Sequence, residues 1–167
     1  MNWDAIGAVG ELAGALAVLI TLIYLAVQLR QNTNLASGAA QREVMASFQL
    51  NLDRVRTNPQ LVQKGLAQFD SLSHAEQLEF TMIINQFVNH LEQPLRMLNR
   101  GLETQDTVDV YGDICMAILQ EPGGLELWER TKPIFFPLAR QYVEERFKNP
   151  GTLPPPISKE LPWWEPD

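Results

Sequence analysis

The sequence predicts an all-α protein: a single N-terminal transmembrane helix, a compact cytoplasmic helical domain behind it, and a Pro-rich tail. Three observations carry that prediction. From Leu12 to Leu29 the chain reads LAGALAVLITLIYLAVQL, with no charge in 18 residues. Several later segments repeat apolar residues every three or four positions, the period of one helix face. Nowhere do apolar and polar residues alternate between hairpin turns, the pattern of a half-buried strand.

The first segment is taken as residues 1–30. At about 1.5 Å per residue the uncharged run is ~27 Å long, and a start at Ile6 makes it ~36 Å, which brackets a ~30 Å hydrocarbon core. A secretory signal peptide needs a basic leading region, whereas this run is preceded by Met1-Asn2-Trp3-Asp4. The first basic residue is Arg30, followed by Arg42, Arg54, Arg56 and Lys64. Since Lys and Arg stay on the cytoplasmic side, the expected placement is the bacterial inner membrane, single-pass, N-terminus out. Trp3 and Tyr24 are suited to anchoring at or near the interface.

Gly7, Gly10, Gly14, Ala17 and Thr21 recur at intervals of three and four, forming one stripe of small residues. Such a stripe lets a second membrane helix approach closely. Glu11 flanks it, an intramembrane or interfacial carboxylate according to how deep it sits.

Residues 31–149 are read as the helical domain. No strong stop separates it from the span, so the first helix can run on, with or without a bend near Asn32 to Gly38, until Pro59. Val44, Phe48, Leu52 and Val55 give it an apolar face. Pro59 suits the first turn of a short helix over Leu61 to Phe69. Ser73 and Glu76 form a capping box for a long core helix carrying Phe80, Ile84, Phe87, Leu91, Leu95 and Leu98, ended by Gly101. Pro94 lies inside it, and a kink is expected there. Thr107 or Asp106 caps a further helix with Val110, Ile114, Ala117 and Ile118 on its inner face. Glu121-Pro122-Gly123-Gly124 stops it, and a short helix from Leu125 to Thr131 turns Trp128 inward. Pro133 and Pro137 bracket an apolar loop before a last helix ending at Phe147. Residues 150–167 hold six of the eleven prolines and read as an extended tail whose Trp163 and Trp164 dock on a surface.

Composition narrows function. A net charge of -7 leaves no broad basic surface for phosphates, so no nucleic-acid partner is expected. Cys115 is the one cysteine, and with His74 and His90 it cannot build a zinc cluster or a disulfide. No phosphate-binding glycine loop, nucleophile elbow or HExxH pattern is present. No cofactor, metal or catalytic residue is therefore expected, and the chain reads as a non-enzyme.

The segment GELAGALAVLITLIYLAVQLRQNT, then Asn58-Pro59, Asn99-Arg100-Gly101-Leu102 and Gln120-Glu121-Pro122-Gly123-Gly124 with Trp128 resembles a family of uncharacterised bacterial membrane-anchored helical proteins. The resemblance implies one N-terminal span and a small helical domain, with no established activity, substrate or site residues. The tryptophan tail lies outside the pattern.

The function expected is a membrane-anchored interaction or accessory subunit, a homo-oligomer or part of a larger membrane complex. Its partners are the lipid bilayer and, through the transmembrane helix, itself or another membrane protein. Two alternatives stand beside it. One is a small-molecule sensor or enzyme with a pocket near Pro94 lined by Asn85, Asn89, His90 and Glu92. The other is an oligomeric ion-conducting protein using Glu11.

Overall fold

A computed structural model describes the backbone of residues 3–160 and the side chains from residue 7 onward. Trp163 and Trp164 lie outside the described residues, as does the side chain of Trp3. Every regular element among the described residues is helical, so the all-α expectation holds. Seven α-helices follow in order: α1 (Trp3–Thr57), α2 (Pro59–Ala67), α3 (His74–Asn99), α4 (Gln105–Leu119), α5 (Pro122–Thr131), α6 (Pro137–Lys148) and α7 (Ile157–Glu160). The chain divides into two compact units, Met1–Glu43 and Val44–Asp167, with the division falling inside α1.

In the first unit α1 shows one long apolar surface with nothing described covering it. Its large side chains from Val9 to Leu29 are 50–69% exposed around the whole circumference. The polar groups within that stretch are served by the helix itself. Thr21 Oγ1 donates to the carbonyl of Ala17 at 2.8 Å, and Gln28 Nε2 donates to Tyr24 Oη at 3.1 Å. The segment from Asn32 to Gly38 is helical throughout, without a break.

In the second unit the core is built on α3. Ser73 and Glu76 form the expected capping box: Ser73 N–H donates to Glu76 Oε2 at 2.8 Å and Glu76 N–H to Ser73 Oγ at 3.4 Å. At the other end Gly101 adopts φ 68°, the left-handed region that glycine enters without steric cost. Gly101 N–H then reaches Leu98 O and Leu102 N–H reaches Met97 O, both at 2.9 Å, closing a Schellman motif. Between these ends α3 remains one helix through Pro94. Phe80, Ile84, Phe87 and Leu91 are buried as expected, and Ile83, Val88 and Met97 widen the stripe.

Within the helical domain, α1, α4 and α5 differ from the sequence reading. The buried face of α1 is Val44, Phe48 and Asn51, while Leu52 is 45% exposed. The 4–3–4 spacing of positions 44, 48, 51 and 55 follows the helix seam better than one including Leu52, and a polar Asn gives no sequence signal of an inward position. In α4 the cap is Thr104, whose Oγ1 accepts from Thr107 N–H, and the inner face is Val108, Gly112, Cys115, Met116, Ile118 and Leu119, so of the expected face Ile118 is buried and Ile114 packs partly buried against the core. Val110 is 61% exposed. That helix packs against α3, α5 and α6, and its contacts with those three neighbours set which face turns inward.

The third difference concerns Pro122, which opens α5 instead of closing α4, its missing N–H costing nothing in a first turn. Gly123 and Gly124 are then buried contact points. A Cβ at Gly123 would collide with the carbonyl of Gly65 on α2, and one at Gly124 with the carbonyl of Ile118. Trp128 faces inward and stacks on Phe135 with ring centroids 5.6 Å apart. The loop Ile134 to Phe136 is therefore split, Phe135 buried and its neighbours exposed.

Candidate functional site

The stripe of small residues is open along its length. A Cβ added to Gly7, Gly10 or Gly14 would meet no atom within 4 Å, and Ala17 and Thr21 are exposed on the same helix. Glu11 is exposed beside it. Among the described residues none lies within 4 Å of a Cβ placed at these three glycines.

The four polar residues of α3 are brought to one region, but three of them are committed to neighbouring elements. Glu92 is buried and accepts from Arg96 Nε at 2.7 Å and from the backbone N–H of Ala139 at 3.1 Å. Ala139 lies in the first turn of α6, whose N-cap Phe136 has no side chain able to bond the free N–H groups. Glu92 thus acts as a cap supplied by another helix, its negative charge set at the positive end of the helix dipole. Asn85 Oδ1 accepts from Thr131 Oγ1 at 3.3 Å, tying α3 to α5, and Asn89 is exposed.

His90 Nε2 lies 3.0 Å from Ser47 Oγ on α1, and its ring meets Phe48 edge-on at 5.7 Å. Burial pushes its pKa below the ordinary value, opposed by the backbone of Gln86 and of Ser47. Nδ1 is buried without a described partner. Asn51, only 1% exposed on the same face of α1, has neither its amide nor its carbonyl bonded to a described residue. These contacts give the joint between the end of α1 and α3 its polar character.

Two clefts of the second unit involve other residues. A polar cleft of about 600 Å³ lies between α3, α4 and α6, with Leu95 and Leu98 on one side and Asp109, Asp113, Glu145 and Arg146 on the other. Its groups bond one another. Arg146 donates to Asp113 at 2.5 Å, to Tyr142 Oη at 2.9 Å and to the carbonyl of Thr152 at 2.6 Å, fastening α6 to α4 and to the start of the tail.

The second cleft, about 200 Å³, has only apolar side chains around it. Its floor is Val62, Leu66, Ile84, Phe87 and Ile118, all buried. Its mouth is edged by Leu52, Val55, Ile114 and, from the tail, Ile157. The tail is held there by two hydrogen bonds at 2.9 Å: Gln120 Nε2 to the carbonyl of Pro154, and Ser158 N–H to Glu121 Oε1. The described part of the region expected to be extended, residues 150–160, thus returns to the domain and includes the short α7.

Sequence reasoning missed this cleft and the residues that clip the tail. In the sequence Glu121 reads as part of a helix stop and Gln120 carries no signal of its own, and nothing in their spacing marks a partner more than 30 residues onward. Among the described residues no group of three or more His, Cys, Asp or Glu side chains is placed to hold a metal ion. Cys115 is fully buried, and burial pushes its thiol up to about 12, which keeps it protonated and unreactive at neutral pH.

The class defined so far is an all-α domain carried on a helix with a long, uncovered apolar surface. Compared with protein-family models, with curated proteins and with solved structures, the chain matches none.

Proposed function

We propose that the chain is a membrane-anchored, non-enzymatic interaction or accessory subunit. The apolar part of α1 crosses the bacterial inner membrane with the N-terminus outside, and the unit from Val44 onward works in the cytoplasm. Association, with a second copy or with another membrane protein, runs through the stripe Gly7, Gly10, Gly14, Ala17 and Thr21.

The observation that carries this reading is the exposure of every large side chain from Val9 to Leu29. Moving one such side chain from water to an apolar medium is worth about 1.5–3 kcal/mol, so the whole set gives a strong driving force for transfer out of water. Hydrocarbon is such a medium. The intrahelical bonds of Thr21 and Gln28 support the same reading, because polar groups in lipid need partners within the helix.

Lipid tails are as apolar as leucine, so two spans gain nothing from hydrophobic burial against each other and must gain it from close backbone contact. Replacing Gly10 and Gly14 together by leucine separates the backbones while preserving length and apolarity. Crosslinking in native membranes tests this. The wild type is expected to yield a discrete crosslinked species that the double variant, still inserted, loses. Identical crosslinks from both proteins, or none from the wild type, would overturn the proposal.

A further inference from the structure

The apolar cleft reaches from buried side chains of the core to partly exposed ones at its edge. We propose that it is a binding site for the end of an acyl chain, with Ile157 as a displaceable flap over its mouth. Its lining offers no polar group, and a water needs two to four polar partners to remain in a cavity. Cavities of ~150 Å³ lined by Leu, Ile and Phe stay dry and accept benzene, so about 200 Å³ of the same lining suits a hydrocarbon end of roughly eight carbons.

The lining closes the site on one side and leaves it open on the other. The floor is closed by buried side chains, whereas the mouth is edged by Leu52 and Ile114, which are partly exposed and apolar. A chain can therefore enter by its methyl end and leave its polar head in solvent. Ile157 belongs to no core helix. Its segment rests on the two hydrogen bonds to Gln120 and Glu121 and on the packing of Leu153 and Ile157, so it can be displaced without opening the core.

A free fatty acid and a phospholipid carry the same chemistry, and the test separates them. The full chain is reconstituted in phosphatidylcholine vesicles containing either a fatty acid or a phospholipid with a diazirine near the terminal methyl. After photolysis the labelled peptides are mapped by mass spectrometry. Label is expected around Leu52 to Leu66 and Ile114 to Ile118 from at least one of the two probes, and that probe identifies the source.

Two variants guard the interpretation. Ile118→Trp fills the floor, and Ile157→Trp blocks the mouth from the tail without entering the core; circular dichroism reports that each is folded. Either folded variant should lower label at the cleft several-fold and leave label within Gly7 to Leu29 unchanged. Label confined to Gly7 to Leu29 with both probes, or cleft label that persists undiminished in a folded variant, would overturn the proposal. Neither outcome depends on whether α1 associates with another span.

Discussion

His90 shows how one side chain ties pH to stability. Its pKa in the folded chain lies below the ordinary 6.5, because burial disfavours the charged ring. As pH falls below about 6.5 the unfolded chain takes up a proton that the folded chain resists, so stability is lost until the depressed folded value is passed. His90→Gln retains a group able to bond Ser47 but does not titrate. The variant is expected to unfold at lower denaturant than the wild type at pH 7.5, with the gap narrowing at pH 5.5. A gap that is constant or widens between those values would contradict this account of His90. The residue was visible in the sequence as a polar group near Pro94, but its partner was not. Ser47 lies 43 residues away, and no local pattern links the two.

Among the elements, the contact of α2 with α5 depends on two glycines. Gly123 sits in the first turn of α5 with the carbonyl of Gly65 directly against it, which is room enough for hydrogen alone. Gly123→Ala is expected to destabilise the domain by about 1–3 kcal/mol, the usual cost of overpacking, seen as a lower urea midpoint at unchanged slope. Wild-type stability would show that the two helices separate without penalty. Helix ends written in local chemistry were legible, as with Ser73, Glu76, Gly101 and Pro59, because caps and proline act within four residues. Helix faces were legible only where one stripe was unambiguous. In α3 it was; in α4 the stripes of Val110 and of Val108 compete, and only the packing of α3, α5 and α6 decides between them. Pro122-Gly123-Gly124 has the composition of a stop because glycine and proline punctuate, yet here they begin a helix and let it pack closely.

At the scale of the whole molecule, the central claim is that the apolar part of α1 lies in a bilayer with its two ends on opposite sides. The motivation is physical: an uncharged run of spanning length, exposed on every side, with basic residues only beyond its C-terminal end. Cys115 makes the test clean, since its buried thiol, pushed up to about 12, stays silent toward maleimides in the folded protein. A cysteine is placed at Asn2 in one variant and at the exposed Asn99 in another, and intact spheroplasts are treated with a membrane-impermeant maleimide before and after lysis. The account predicts that the membrane fraction holds both proteins, that Asn2→Cys is labelled in intact cells, and that Asn99→Cys is labelled only after lysis. Protein recovered in the soluble fraction, or the reverse labelling order, would contradict it.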